Sequence, residues 1–365
     1  MPKLTPSYLK RQISSHEDAD WVPGETALSK LPEEEQDQHL GVVVPPGELE
    51  RISSELEARA YEAVQFAPAR DWRSVDGKDW TTPIRNQGPC GACVAFATVA
   101  TIETQARIER KKADWGLDLS EADLFFCGGG RLCQRGWWPA EALKYAAAKG
   151  VPDDACFPYQ AQDQACGSCN DRDARLLKVG SWQEIVAPDE RKSWIDTKGP
   201  VVSCMAVYRD FFSYKQGVYR HVTGDLAGYH AISCVGYSED EGCWICKNSW
   251  GPTWGDNGFF KVAYGQVEID TNFAAWGVQN VKGTLKPDGG SHDDQASKLA
   301  DYLVVHTTPD ATGTMLFARV EGQWKHATIS PQRLASLGPT VFAASAVSVK
   351  LDEDQIVGLS LWKQY

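Results

Sequence analysis

Residues 87–96 have the sequence QGPCGACVAF, a glycine-rich turn that leads directly into a helical pattern. Apolar residues continue from it at steps of four, three and four positions: Ala95, Val99, Ile102 and Ala106. The pattern predicts a helix that begins near Cys93. A thiol at a helix N-terminus ionises more easily because the helix end carries a partial positive charge, and the thiolate is the nucleophilic form. Cys93 is therefore the first candidate for a reactive residue.

The residues around Cys93 suit a nucleophile that meets a substrate chain. Gly91 and Ala92 are small and leave room for a backbone to approach. Gln87 precedes Cys93 by six residues. Its side-chain amide is a donor that can stabilise an oxyanion beside the helix N-terminus.

A cysteine nucleophile needs a base, and the chain has seven histidines. His230 is distinctive because it lies in GYHAISCVGY, an otherwise apolar strand pattern after a glycine. A polar residue must orient the base, and KNSWGPTWGDNGFF supplies Asn248, flanked by aromatic residues that can shield a hydrogen bond from water. The other histidines fit surface or structural positions: His16, His39, His221, His292, His306 and His326.

The order and spacing of these residues resemble the papain-like cysteine peptidases. That family carries Cys-Gly-Ser/Ala-Cys-Trp/Tyr at its nucleophile, with His and Asn roughly 130–150 residues further on. This chain has Cys-Gly-Ala-Cys-Val at 90–94, and His230 and Asn248 follow Cys93 by 137 and 155 residues. With DWRSVDGKDWTTPIRNQG ahead of the motif, the resemblance covers about residues 69–282.

The resemblance implies an α+β papain-like fold, with a helical lobe, a β-barrel-like lobe and a cleft between them. It implies that Cys93 is the nucleophile and His230 the base. Asn248 would orient that base, and Gln87 would share the oxyanion with the Cys93 amide. A thioester would form on Cys93, and the mechanism needs no metal and no organic cofactor.

The resemblance also extends to substrate-binding positions. CGGGRLCQRGWWPAEAL is similar to the family's cleft loop, so Gly136 matches the glycine whose backbone pairs with substrate. Trp250 matches the tryptophan that covers the His–Asn contact. Positions expected near the main specificity pocket are Trp137, Cys204, Ala231 and Asn272. Trp137 also fits a core position.

Three residues depart from the family pattern. Val94 replaces the usual aromatic residue after the nucleophile, so we expect altered packing beside the cleft. Arg135 stands where a second cleft glycine is usual and is expected to crowd or charge that edge. Tyr229 precedes the histidine, where a small polar residue is commoner.

All eleven cysteines lie between Cys90 and Cys246. Their density favours disulfides, whereas the absence of a secretory signal argues against them. The family pattern implies pairs Cys90–Cys133 and Cys127–Cys166, which leaves Cys156 and Cys169 either paired or free. The CxxC pairs at 166–169 and 243–246 also allow a zinc site, although positions i and i+3 of a strand face opposite sides.

Composition changes divide the chain into four parts. Residues 1–68 are predicted to be a leader with a helix over ELERISSELEARAYEAV, and self-inhibition by this leader is a hypothesis. Residues 69–282 form the peptidase domain, with strands in PVVSCMAVY, HAISCVGYS, CWICKNSW and GFFKVAYG. Residues 283–297 are predicted to be a linker, and 298–365 a β-rich C-terminal extension with strands in DYLVVHTT, TMLFARV, TVFAASAVSVK and IVGLSLW.

The formal charge of −12 over 365 residues, without a long Lys/Arg run, disfavours nucleic acid and anionic membranes as partners. No apolar stretch is long enough to span a membrane, and MPKLTPSYLKRQISSHEDAD lacks the apolar core of a secretory signal. We therefore expect a protein of the cytosol or one exported by another route. The sequence does not indicate an oligomeric state.

The leading hypothesis is a cysteine endopeptidase that acts on a protein or peptide substrate. The same thioester also serves an acyl-transfer ligase or cyclase in peptide maturation. A papain-fold binding protein with weak catalysis is the alternative from another class. The complete Cys/His/Asn/Gln set argues against that third hypothesis.

Overall fold

The computed structural model describes residues 4–59, 64–129 and 132–285, together with the backbone of six strands between 298 and 362. The chain divides into two units, residues 1–286 and 287–365. The linker was predicted to begin at residue 283, but Gly283 and Thr284 belong to a strand that pairs with Leu177 and Leu176; from residue 286 onward the predicted linker lies outside the described residues.

The helices and strands of the first unit follow the chain in mixed order. Its helices are α1 (Pro6–Ser15), α2 (Glu33–Asp37), α3 (Glu48–Ala58), α4 (Cys93–Arg110), α5 (Pro139–Lys149) and α6 (Pro188–Thr197). Its first strands are β1 (Val22–Pro23), β2 (Ala69–Asp71), β3 (Val151–Pro152), β4 (Leu176–Lys178), β5 (Ser181–Ile185), β6 (Val201–Tyr208) and β7 (Tyr214–Gln216). Six more are β8 (Val218–Tyr219), β9 (Leu226–Ser238), β10 (Cys243–Lys247), β11 (Phe259–Ala263), β12 (Ala275–Gln279) and β13 (Lys282–Thr284).

Helix α4 forms the centre of the helical lobe. It begins at Cys93, as the sequence predicts, and its side chains are buried from Cys93 to Val99. Lys111 ends the helix in a left-handed conformation (φ 55°), after the basic residues Arg107 and Arg110 of the last turn. Because α4 is buried on almost all sides, its apolar residues lie around the whole helix and not only along one face.

The β lobe is built on an eight-stranded sheet with the order β5-β12-β6-β9-β10-β11-β8, and β2 pairs with β9. The four strands predicted between residues 200 and 265 are present as β6, β9, β10 and β11. Strands β6 and β9 are antiparallel, with Cys204 opposite Ala231 and Met205 opposite His230. His230 therefore lies on β9, a strand in the middle of the sheet that also contacts α4.

The leader packs against both lobes. Helix α1, which the sequence analysis missed, has Thr5 as N-cap and Pro6 in its first turn, both ordinary start signals. Strand β1 pairs with β7 of the β lobe. The predicted helix at 48–64 is present as α3, which ends at Ala58; residues 60–63 lie outside the described chain.

Three disulfides join the loops of the helical lobe. Cys90–Cys133 and Cys127–Cys166 confirm the two predicted pairs, and Cys156–Cys169 is the third. Because Cys166 and Cys169 are both oxidised, to different partners, the zinc alternative for that CxxC pair is wrong. The free cysteines of the described chain are Cys93, Cys204, Cys234, Cys243 and Cys246, all buried.

The second unit is a six-stranded sheet with the order β14-β18-β19-β17-β16-β15. These strands are β14 (Lys298–Leu299), β15 (Tyr302–Thr307), β16 (Thr314–Val320), β17 (Gln323–Ile329), β18 (Ala346–Asp352) and β19 (Gln355–Trp362). The predicted strands correspond to β15, β16, β18 and β19, with residues 340–345 outside the described chain. Strand β17 was not predicted.

Candidate active site

Cys93 lies where the first turn of α4 meets strand β9. Its side chain is fully buried, and its sulfur accepts a hydrogen bond from the Ala231 amide at 3.5 Å. The preceding turn is tied to the cleft loop, because Gly91 N donates to Cys133 O at 2.9 Å beside the Cys90–Cys133 disulfide. The helical lobe therefore delivers the thiol directly to the residue after His230.

His230 and Asn248, the expected base and its orienting residue, are joined by one hydrogen bond. His230 Nε2 lies 2.8 Å from Asn248 Oδ1, and Ser249 N donates to the same oxygen at 2.8 Å. Since an amide oxygen only accepts, Nε2 carries the proton and Nδ1 is the free basic nitrogen. His230 Nδ1 has no hydrogen-bond partner among the described residues.

Trp250 covers this pair, as the resemblance implies. Its ring centroid is 4.7 Å from that of His230, and its other face stacks on Phe212 at 5.3 Å. Both His230 and Asn248 are buried as a result. The cover keeps water from competing for the histidine–asparagine hydrogen bond.

Gln87 is buried beside Cys93, and its two ends are held differently. Its Oε1 accepts from Ser249 Oγ at 2.6 Å, which fixes the orientation of the amide. Its Nε2 then faces the cleft and donates to Cys90 O at 2.8 Å and to His39 O at 3.0 Å. Sequence reasoning missed Ser249, although it follows Asn248 directly in the KNSW motif.

The leader crosses the cleft above Cys93. Trp137 N donates to Gly41 O at 2.7 Å, Val43 N to Trp137 O at 3.0 Å, and Val42 N to Tyr229 O at 3.2 Å. Gly41 approaches so closely that a Cβ on it would lie 2.0 Å from Gly91 O. Only glycine permits this crossing.

This crossing controls the electrostatics of the site. Burial raises the pKa of the Cys93 thiol to about 12, and the backbone amides of Ala231 and Gly41 at the sulfur offset only part of that increase. Burial also lowers the pKa of His230 to about 4, against the opposing effect of Asn248. The helix N-terminus was expected to favour the thiolate, but desolvation is the larger effect at both buried groups and favours their neutral forms.

The predicted pocket residues have different positions. Gly136 is buried under the leader, where a Cβ would meet Gly41 O at 2.3 Å. The Trp137 ring packs inward on Phe125, with centroids 6.4 Å apart, so it is a core side chain whose backbone lines the cleft. Cys204 and Ala231 are cross-strand neighbours and buried.

The structure also places Asn272, the last predicted pocket residue, and the three residues that depart from the family pattern. Asn272 Oδ1 accepts a hydrogen bond from Ser53 of the leader at 3.4 Å. Val94 is fully buried in the helical core. Arg135 is exposed, so it charges the cleft edge without crowding it. Tyr229 packs on Phe273, with ring centroids 5.2 Å apart.

Two classes of site are not found in the described part of the chain. No group of three or more His, Cys, Asp or Glu side chains is arranged to hold a metal ion. No helix among the described residues has the length and hydrophobicity needed to cross a membrane.

A nucleophilic cysteine at a helix start, with a His–Asn pair from the facing β lobe, defines a cysteine peptidase of two-lobed α+β architecture. The profile of the papain family cysteine proteases matches residues 66–276. The chain therefore belongs to the papain family of cysteine proteases, and its activity class is that of a cysteine peptidase.

Relatives and solved structures agree with that assignment. Cathepsin B-like CP3 of Giardia intestinalis is 30% identical over 243 residues, 62% of this chain and 79% of that protein. Pro-cathepsin H of Bos taurus is 31% identical over 214 residues, 55% of this chain and 61% of that protein. The papain-like fold is shared with procathepsin B S9 of Trypanosoma congolense (TM-score 0.62, 22% identity, 77% of this chain and 100% of that one). Procathepsin L2 of Tenebrio molitor has the same fold (TM-score 0.60, 25% identity, 75% and 90%).

The contact between Gln87 and Ser249 yields a prediction about catalysis. Gln87→Ala removes one oxyanion donor and should lower kcat by roughly 10²–10³-fold. Ser249→Ala keeps the donor but frees its orientation, so we expect a smaller loss, about tenfold, with KM little changed. Steady-state kinetics of the leader-free enzymes test both. Equal activity of Gln87→Ala and the unchanged enzyme would contradict the role of Gln87.

Proposed function

We propose that the chain hydrolyses peptide bonds with Cys93 as nucleophile, His230 as base and Asn248 as its orienting residue. The observation that carries this proposal is the hydrogen bond from His230 Nε2 to Asn248 Oδ1. It leaves Nδ1 as the proton acceptor, without a hydrogen-bond partner among the described residues. The comparisons favour neither a ligase nor a binding protein.

Catalysis begins when the leader is removed and the site is solvated. His230 Nδ1 takes the Cys93 proton, and the thiolate attacks the peptide carbonyl carbon. Gln87 Nε2 and the Cys93 amide donate to the oxygen as it becomes negative. His230 then protonates the leaving amine. In the second half-reaction it removes a proton from water, which attacks the thioester carbon and releases the acid.

We infer an endopeptidase, acting on protein or peptide chains. The leader is itself a polypeptide that lies in the cleft on both sides of Cys93, from α2 through His39 to Val43. A cleft that holds chain in both directions suits cleavage within a substrate. A carboxypeptidase or aminopeptidase needs one end closed.

We also infer that residues 1–68 are an inhibitory leader. His39 O already accepts from Gln87 Nε2, and so occupies the donor that catalysis needs. The backbone amide of Gly41 lies at the Cys93 sulfur. A leader held in this way blocks the cleft without being positioned for cleavage.

The nucleophile gives the most direct test of the activity. Cys93→Ala should abolish hydrolysis of fluorogenic peptides by the leader-free enzyme, because the remaining groups cannot form a thioester. Cys243→Ala is the matched control, since Cys243 is also buried and free, and it should retain turnover. Full activity of Cys93→Ala would refute the proposal.

The leader hypothesis gives a second test at Gly41. Gly41→Ala places a methyl group against the Gly91 backbone, which should weaken docking of the leader by about 1–3 kcal/mol. The uncut chain should therefore show roughly tenfold more peptidase activity than the unchanged uncut chain. Gly47→Asn is the control, because a Cβ there meets nothing within 4 Å and asparagine tolerates the left-handed φ of 75°. After the leader is removed, all three enzymes should be identical. No increase in activity of uncut Gly41→Ala would contradict inhibition by this crossing.

Acid should loosen the leader. Burial lowers the pKa of His39 from 6.5, although the backbone of Glu35 and its carboxylate oppose the shift, and the pKa of nearby His230 is lowered to about 4. Docking therefore favours both neutral imidazoles. This contribution to docking of the leader is complete above pH 6.5. It is lost as the pH falls through the lowered pKa values of His39 and His230.

Hydrogen exchange in the uncut Cys93→Ala chain, which cannot process itself, measures this effect. Protection of the amides at 39–43, corrected for intrinsic rates, should fall between about pH 7 and about pH 4.5. His39→Gln should reduce that fall and leave the part due to His230. Protection that is independent of pH would contradict the hypothesis.

A further inference from the structure

The leader presents the acidic helix α2 to one cation of the β lobe. Arg209, in the 3₁₀ turn that follows β6, has its Nη1 2.7 Å from Asp37 Oδ1 and its Nε 3.8 Å from Glu33 Oε2. The same Nη1 donates to Gln36 Oε1 at 3.2 Å and to Glu33 O at 3.3 Å. The guanidinium therefore makes four contacts with a single short segment of the leader.

In the described part of the chain, both carboxylates within ion-pair distance of Arg209 belong to the leader. The Arg209 side chain is 12% exposed in this state. Removal of residues 1–68 takes away its partners and its cover together. The uncovered guanidinium is then free to pair with the carboxylate of another chain in the same place.

The acids of the β lobe near Arg209 do not replace the leader. Four donors surround the Asp210 carboxylate at 2.6–3.2 Å: Tyr219 Oη, His221 Nδ1 and the amides of Val222 and Thr223. Asp225 offers Arg209 its backbone, as its carbonyl accepts from Arg209 N at 3.0 Å. Asp210 is fully engaged in holding the turn, so Arg209 has no carboxylate partner of its own lobe in this structure.

Arg209 is close to the reacting centre along the bound chain. Asp37, its nearer partner, precedes by two residues His39, whose carbonyl accepts from Gln87. An extended chain spans at most about 3.6 Å per residue, so these two Cα atoms are within about 7 Å. A substrate side chain a few positions from the scissile bond can reach the same cation.

The leader also defines on which side of Cys93 the cation lies. From His39 the chain continues through Gly41 to Val43 along Trp137, so Arg209 and Trp137 flank the nucleophile on opposite sides. A cavity of about 360 Å³ lies beside α2, between the leader and the β lobe, and is lined by Arg209, Asp225 and leader residues that include Pro32.

We propose that Arg209 is a specificity-determining residue that selects an acidic side chain on the leaving-group side of the scissile bond. In the latent chain, Glu33 and Asp37 occupy this subsite. The inference rests on the proposed function, because it requires a leader-free peptidase. In that enzyme the acyl half of the substrate would lie along Trp137 and the leaving half toward Arg209. The inference extends that function to a substrate class, peptides with Asp or Glu shortly after the cleaved bond.

Internally quenched peptides test the proposal on the full chain after its leader has been cut. The peptides share one acyl half and carry Glu, Gln or Lys at the first, second or third position of the leaving half. For the unchanged enzyme, kcat/KM should favour Glu over Gln by about tenfold at one position. The preference should shrink as salt is raised, because the ion pair is screened at a partly exposed site.

Two variants and one control complete the design. Arg209→Gln should bring the Glu/Gln ratio to about one, and Arg209→Glu should favour Lys. Lys215→Gln is the control, because it removes another cation of the same lobe. Lys215 donates to Thr253 O at 3.1 Å, a partner that remains when the leader is cut. The Lys215→Gln enzyme should retain the preference for Glu. Each ratio is taken within one enzyme preparation, so a smaller folded fraction does not change it.

The outcomes separate the inference from the proposed function. Equal rates on Glu and Gln peptides at every position in the unchanged enzyme overturn the Arg209 subsite, whether or not the variants fold. A preference that survives in active Arg209→Gln overturns it as well. Absence of turnover on any peptide, or turnover that persists in Cys93→Ala, is instead a failure of the proposed function.

Discussion

The contact between the Cys93 sulfur and the Ala231 amide holds the two lobes in register at the active site. At 3.5 Å, it fixes the start of α4 against the residue that follows His230. Everything else in the site is arranged around this point. Ser249 orients Gln87 from one side, and Trp250 covers the His–Asn hydrogen bond from the other.

Desolvation at this contact determines whether the chemistry can proceed. Cys93 and His230 are both buried under the leader, and burial moves their pKa values apart, the thiol to about 12 and the imidazole to about 4. Burial therefore opposes formation of the thiolate–imidazolium pair, because each group favours its neutral form. On the proposed inhibitory role of the leader, the backbone segment around Gly41 would provide both a steric block and an electrostatic one.

The sequence was sufficient for the family and for most of the architecture, and it named the residues that the structure brings together at the candidate site. Cys93, Gln87, His230 and Asn248 were predicted because helix periodicity and family spacing are local signals, and the disulfides follow the same pattern. The sequence could not distinguish whether the Trp137 ring faces the pocket or the core, since both positions favour an aromatic residue.

The leader was the least predictable part. Its crossing depends on Gly41 fitting beside Gly91, and its α2 helix depends on a long-range pairing of Asp37 with Arg209. Neither has a periodic signature, because both are tertiary contacts of an acidic, irregular segment. His39, assigned to the surface or to structure, is buried beside the catalytic base.

The alkylation rate of Cys93 tests the central claim most directly. Iodoacetamide labelling at about pH 7, followed by peptide mass mapping, compares the uncut chain with the same sample after its leader is cut. The account predicts labelling of Cys93 roughly 100-fold faster after cutting, with the buried thiols Cys204 and Cys234 unlabelled in both states. Equally fast labelling of Cys93 in the uncut chain would contradict the claim that the leader keeps the catalytic pair neutral.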